Sequence, residues 1–480
     1  MELIGRENEV SRLRQIENSG RAEFVVIYGR RRVGKTFLVN SHFNSRFTFK
    51  VTGLAKKDRK AQLANFAEAL SAYGGVPYPV PGTWTEAFAS LKFLIEHSTS
   101  EGRKTIFIDE LPWMDTPRSN LIAALEHFWN DWGSTRDDLL LIICGSATSW
   151  MTHKIIRNHG GLHNRLTNKI YLRQFNLHET KEYLRSVHID FEDKDILECY
   201  MIMGGIPYYL SLLERGKSLA QNVDEMFFSR KGRLDGEFDN LYASLFDNSE
   251  KYIKVVEALS RKNKGLTRIE IIEATGLSDG GALTSILDDL DNCDLIRKYT
   301  GFDKTERQSL YQLTDFYTFF YFKFIKKYGT SSKSFWSFQL NTPVHNSWSG
   351  YAFEQLCLYH YRQIEKKLGI SGILTNMSAW SSRRDAMPDG RTAGGAQIDL
   401  VINRADHVVN VCEMKFWNGA YTITSKYRKE LTEKIDRFRQ ECRIRYPIHL
   451  VMVTTYGVRQ NEHSLIVHNE VTMKDMFESD

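Results

Sequence analysis

The chain has 480 residues, room for about three domains of ordinary size, with 42% hydrophobic and 26% charged residues. That balance excludes a disordered chain, and a formal net charge of +5 permits a nucleic-acid partner without requiring one. No charged head followed by an apolar core opens the sequence, residues 316–325 are too short and too interrupted by Lys323 to span a bilayer, and the six cysteines form no CxxC pair; the expectation is a cytoplasmic protein with free thiols and no membrane association.

In chain order, residues 24–28, 105–108, 139–144 and 169–172 are short apolar runs bounded by polar or glycine-containing turns. They predict a largely parallel sheet flanked by helices over residues 1–175. Residues 176–246 read as a helical lid, broken at Gly204-Gly205-Ile206-Pro207. Residues 247–315 predict three helices, at 253–259, from Thr267 and over 279–292, followed by strands at 295–299 and 309–313. Three helices and a β-wing make a winged helix. An aromatic-rich connector, residues 316–348, leads to a final small α/β domain, residues 349–480. The fold class is α/β throughout, with no internal repeat.

Gly29-Arg30-Arg31-Arg32-Val33-Gly34-Lys35-Thr36 fits the phosphate-loop pattern GxxxxGK[ST] and stands between an apolar strand and a helix. Glycines let backbone N–H groups curl around phosphates, and the helix N-terminus adds partial positive charge. Lys35 is expected at the β- and γ-phosphates of ATP and Thr36 on Mg²⁺. The strand ending in Ile108-Asp109-Glu110 reads as the Walker B segment, with Asp109 in the metal shell and Glu110 orienting the attacking water. Ser146, after the strand at 139–144, is either a sensor of the γ-phosphate or part of a plain Gly-Ser turn. Arg165 is a candidate arginine finger.

Ile4-Gly5-Arg6-Glu7-x-Glu9, the phosphate loop with its run Arg30 to Arg32, Asp109-Glu110, Gly145-Ser146 and Gly204-Gly205-Ile206-Pro207 occur in that order. In this the chain resembles the archaeal-type ATPases of the STAND/AAA+ P-loop group. The resemblance implies that Gly5 and Arg6 contact the nucleotide near its base and that a winged helix follows. The third helix of that module carries Asp279, Asp288, Asp289 and Asp291 and no Lys or Arg. Phosphate binding needs positive charge, so a protein partner is expected there before a DNA groove.

Near the C-terminus, residues 397–402 form an apolar strand bearing Asp399, and after a turn at 403–406 residues 408–415, with Glu413 and Lys415, form another. Glu413 and Lys415 share one strand face, and a hairpin brings Asp399 near Glu413. Two carboxylates can hold Mg²⁺, and Lys415 can polarise or deprotonate the attacking water. The pattern looks like the PD-(D/E)XK nuclease superfamily, a restriction-endonuclease-like fold. That resemblance implies a further glutamate from the preceding helix, matched by Glu354, with Gln397 on the strand face of Asp399. No Pro precedes Asp399, and Pro388-Asp389 lies too far upstream to replace it. The helix over 426–445 is rich in Lys and Arg and either lines a phosphate backbone or is a solvated face.

The leading expectation is an ATP-binding P-loop ATPase regulating a Mg²⁺-dependent, nuclease-like domain that acts on DNA or RNA. The alternatives are a signalling ATPase whose C-terminal domain is a non-cleaving contact module, and a nucleic-acid motor. Oligomers are compatible with each.

Overall fold

The computed structural model describes residues 3–99, 102–157, 160–162, 164–246, 248–302, 304–329, 334–382 and 395–479. His163 and the Pro388-Asp389 pair lie outside the described residues. By internal packing the chain forms two units, Met1–Gln174 with Asn240–Ser249, and Phe175–Asp239 with Glu250–Asp480.

The first unit is built on five strands: β1 (Glu23–Tyr28), β2 (Phe49–Thr52), β3 (Lys104–Asp109), β4 (Leu139–Gly145) and β5 (Asn168–Tyr171). Their order is β2-β3-β4-β1-β5, and every pairing is parallel. β3 and β4 are buried along their whole length, which is why they read as unbroken apolar runs. β2 escaped the sequence reading. It is a four-residue edge strand, Phe-Lys-Val-Thr, with only Phe49 and Val51 turned into the core. The helices Arg59–Gly74 and Trp84–Glu96, started by caps at Asp58 and Thr83, pack Phe66, Trp84 and Phe88 over that end of the sheet. Because β4 lies between β1 and β3, the loops that follow these three strands meet at one edge.

In the second unit, the helices Leu177–Ser186 and Asp193–Met203 precede a sharp reversal at Gly204 and Gly205. A side chain at Gly205 would place its Cβ 2.0 Å from the Phe175 carbonyl oxygen, so the crossing admits glycine alone. Pro207 then opens the helix Pro207–Leu210. In the aromatic connector, Phe320, Phe324, Trp336 and Trp348 are buried and meet ring to ring, with centroids 5.0 Å apart for Phe320–Trp336 and 5.4 Å for Trp336–Trp348.

Helices Ser249–Ser260, Arg268–Thr275 and Gly281–Asn292 are followed by an antiparallel sheet of β6 (Leu266–Thr267), β7 (Ile296–Tyr299) and β8 (Leu310–Leu313) in the order β6-β8-β7. The third helix starts at Gly281, later than expected, after Gly280 in a non-helical conformation at φ 159; Asp279 before it pairs with Arg268.

The remainder of this unit contains the helix Pro343–Tyr359 and strands β9 (Thr375–Ser381), β10 (Gln397–Arg404), β11 (Val409–Lys415), β12 (Ile448–Thr454) and β13 (Asn469–Thr472), with the helix Ser425–Glu441 between β11 and β12. The sheet order is β13-β12-β11-β10-β9; β9, β10 and β11 pair antiparallel, whereas β11, β12 and β13 pair parallel. No helix among the described residues is long and apolar enough to cross a membrane.

Candidate functional site

The loop after β1 wraps the start of the helix Lys35–His42. Gly29 sits at φ 146, and a Cβ there would lie 2.2 Å from the Leu172 carbonyl oxygen; Gly34 sits at φ 93 at the helix cap. Lys35 is buried, and its ammonium donates to the carbonyls of Gly29 and Arg30 at 2.9 and 2.8 Å. The Thr36 hydroxyl donates to Asp109 Oδ2 at 2.8 Å, which joins the loop to the end of β3. Glu110, at φ 49, turns back toward β4: its Oε2 accepts from the Ser146 N–H at 3.1 Å and the Ser146 hydroxyl at 2.9 Å. Burial raises the Glu110 carboxyl above its ordinary range, against the pull of Lys35.

Arg6, buried and at φ 68 beside Gly5 at φ 64, donates to the Val33 carbonyl at 3.1 Å and so braces the loop from outside. Arg30 is buried, Arg31 lies 3.5 Å from the Asn240 carbonyl, and Arg32 adopts φ 71. The structure thus gathers Arg6, residues 29–36, Asp109, Glu110 and Ser146. It does not gather Arg165, which is exposed and precedes the start of β5. That is the amino edge of the sheet, one strand length away, on the order of 15 Å.

The second constellation belongs to the second unit. The register Leu400↔Cys412 between β10 and β11, carried one step further, sets Asp399 opposite Glu413. Glu413 is buried, and three donors hold its carboxylate. Lys415 and Tyr427 reach Oε1 at 2.8 and 2.7 Å, and Lys434 reaches Oε2 at 2.7 Å. Gln397 donates to Asp399 Oδ1. Glu354 enters from the helix Pro343–Tyr359.

The electrostatics separate these acids. Burial, then Asp399, pushes Glu354 up to about 8. Burial, then Glu413, raises Asp399. Glu413 is driven up by its burial, yet Lys415 and Lys434 together hold it down at about 2. Glu354, Asp399, Glu413 and Lys415 therefore share one electrostatic environment. Among the described residues no three His, Cys, Asp or Glu side chains form a ready-made metal cage.

Lys434 and Tyr427 were not singled out from sequence. The signal was present: Tyr427, Leu431, Lys434 and Phe438 form one helical stripe, and Leu431 and Phe438 are buried. A lysine inside an otherwise inward stripe needs an acidic partner.

Residues 3–213 match the family described as an ATPase domain predominantly from Archaea. An uncharacterized protein of Methanocaldococcus jannaschii, MJECL04, is 24% identical over 439 residues, covering 90% of this chain and 91% of that one. Among solved structures, the chain is similar to the Walker-type ATPase PABY2304 of Pyrococcus abyssi, with a TM-score of 0.47 and 17% identity over 67% of this chain and 96% of that one. It is also similar to the ORC2 protein of Aeropyrum pernix, with a TM-score of 0.41 and 14% identity over 65% and 90%.

Proposed function

We propose that the ATPase domain binds and hydrolyses ATP and thereby regulates a divalent-metal-dependent nuclease site in the C-terminal domain. In the first site, Lys35 compensates the β- and γ-phosphate charge, Thr36 and Asp109 hold Mg²⁺, and Glu110, positioned by Ser146, orients the attacking water. The hydroxyl–carboxylate contact of Thr36 and Asp109 at 2.8 Å supports this: both oxygens already converge where a shared cation would sit. Arg6 keeps the loop curled through Val33. Arg165 lies apart from this site, ahead of β5.

The observation that carries the nuclease reading is the convergence of Glu354, Asp399, Glu413 and Lys415 from one helix and two strands far apart in the chain. The donor set fits Mg²⁺ or Mn²⁺. Hard carboxylate oxygens suit these ions, and Mg²⁺ characteristically takes one or two carboxylates and fills its shell with water and substrate oxygens. Burial first, then the neighbouring carboxylates, raises Glu354 and Asp399. Asp399 and Glu413 would hold the ion, which when bound acidifies water and offsets phosphate charge. Lys415 directs positive charge at the attacked phosphate. Water gives up a proton to solvent as its oxygen bonds to phosphorus, the bond from phosphorus to the leaving sugar oxygen breaks, and that oxygen takes up a proton from solvent.

A second reading, a contact module without cleavage, draws on the occupation of both Glu413 oxygens by Lys415, Tyr427 and Lys434. Incubation with DNA and RNA in Mg²⁺ or Mn²⁺, with and without ATP, separates the two. On the nuclease reading wild type cuts, and Asp399→Ala and Lys415→Ala do not. Identical behaviour of wild type and Asp399→Ala on every substrate removes it. The preceding module is read as a winged helix whose acidic third helix contacts protein. Tyr252 donates to Asp289 at 2.7 Å, but no Lys or Arg lies on that helix to meet phosphate.

A further inference from the structure

A second charged surface lies in the first unit. Its parallel sheet runs β2-β3-β4-β1 from one side, so the loops leaving these four strands stand next to one another at the carboxyl edge. Each loop brings a cation to one open cavity: Arg31 after β1, Lys56 and Lys57 after β2, Arg118 after β3 and Lys154 after β4. Asp115 is the only acid among the described residues lining it. Its Oδ2 accepts from the Trp150 indole N–H at 3.0 Å, and its Oδ1 accepts from the Ser119 hydroxyl at 3.3 Å. Lys56 and Arg118 are exposed and hold the left-handed backbone, at φ 54 and 59, that ordinarily favours glycine. Such strain persists only where the surroundings enforce it, and it gathers at ligand clamps.

Four neighbouring loops that agree in sign point to a polyanion. Protein–protein interfaces are depleted in lysine and concentrate apolar and aromatic area at their centre. Nucleic-acid interfaces are much more positive, because every phosphate neutralised releases counterions. Three of the five cations here are lysines, which places the cavity with the second kind. The rings decide between one strand and two. Trp113 and Trp150, both half-buried, line the same cavity. The backbone N–H of Trp113 donates to the Glu110 carbonyl at 3.0 Å, and the Trp150 ring is held by Asp115. Aromatic faces among cations form a platform on which unpaired bases stack, whereas a duplex keeps its base faces covered.

We infer that this cavity of the first unit binds single-stranded nucleic acid, with Lys56, Lys57 and Arg118 on its phosphates and Trp113 and Trp150 beside its bases. No residue of the acidic cluster takes part, so the inference stands or falls apart from the nuclease reading. The test uses the full chain in EDTA, which keeps the strand uncut, and a fluorescein-labelled oligothymidylate read by anisotropy over a range of salt. The paired change Lys56→Gln with Lys57→Gln should weaken binding about tenfold at low salt, and Arg118→Gln about threefold. Each cation removed should lower the slope of log affinity against log salt by about 0.7, with the melting curve unchanged. Arg118→Lys should restore the slope. A strand carrying 4-thiothymidine should crosslink under light within residues 112–123 or 147–154, which line the cavity. Wild-type affinity and slope in the paired variant, or crosslinks confined to residues 349–480, overturns the inference. So does tighter binding of the same strand paired with oligoadenylate. Polyglutamate displacing the strand as well as unlabelled oligothymidylate does would also overturn it, and would mark an acidic protein as the occupant.

Discussion

Lys434 meets the inner oxygen of Glu413 at 2.7 Å from a helical stripe whose other inward residues are apolar or aromatic. The carboxylate is nearly enclosed, at 6% side-chain exposure, while the lysine is 20% exposed. Replacing Lys434 by Met keeps the stem packing and removes one of two cations, leaving Lys415 as the remaining ionic partner. The expected cost is about 1–3 kcal/mol, below that of stranding a buried charge outright. Urea denaturation of wild type and Lys434→Met measures it; a difference under about 0.5 kcal/mol would mean that Lys434 is not structural.

The reversal at Gly205 invites a sharper test. Phe175 N–H donates to the Gly205 carbonyl at 2.8 Å, and the Tyr200 hydroxyl donates to the Phe175 carbonyl at 2.7 Å, so three residues close on one backbone crossing. A methyl at Gly205 must displace backbone, not a flexible side-chain tip. Gly205→Ala should lose about 3 kcal/mol or more, whereas Gly216→Ala, with no atom within 4 Å but φ 75, should lose about 1 kcal/mol from backbone strain alone. Equal melting curves for the two variants would refute this account of the crossing.

Glu270 supplies a pH dependence away from both sites. It closes a capping box with Thr267, accepting from its N–H at 2.8 Å and its hydroxyl at 3.1 Å, and pairs with Lys262. Burial raises its carboxyl, but Lys262 and Thr267 prevail and hold it below the ordinary 4.5. A lowered native value means that the carboxylate's contribution is present above 4.5 and is lost as pH falls through the native value. With 37% side-chain exposure, the contribution at neutral pH is at most about 1 kcal/mol after screening. Glu270→Gln should therefore melt below wild type at neutral pH and converge with it in acid. A gap that persists or widens in acid would assign the loss to packing.

Much of this was legible in the residues. The strands that carry the phosphate loop and Asp109 are buried on both faces, so the apolar runs before Gly29 and Asp109 marked them directly. The edge strand at Phe49 left no such run, because only every second residue is buried there. Asp399, Glu413 and Lys415 could be placed on one face because strand periodicity and a hairpin fix that relation from sequence. Lys434 was legible only as a lysine in an otherwise inward helical stripe; that its partner is Glu413 depends on tertiary packing. Arg165 was suggested by residue type alone, and its place at the amino edge of the sheet depends on strand direction. The aromatic connector was conspicuous by composition, but which of its rings meet depends on tertiary packing.

Loss of Lys35 and loss of Glu110 should have different effects. Lys35 sits at the first turn of its helix with its ammonium already directed at the loop carbonyls of Gly29 and Arg30, so a phosphate needs only to replace those carbonyls as its partner. Lys35→Ala removes that charge and should abolish most ATP affinity by about a hundredfold or more. Glu110 touches no loop atom among its described partners; it is held by Ser146 at 3.1 and 2.9 Å. Glu110→Gln preserves the shape and one acceptor, so ATP should still bind with affinity within a few-fold of wild type. Turnover should nevertheless fall about 10²–10⁴-fold, the range for a positioned acid–base group. Labelled-nucleotide titration and phosphate release, run on the same preparations, separate the two effects. Wild-type turnover in Glu110→Gln would remove Glu110 from the water-orienting role and leave Ser146 as the polar group at that strand end.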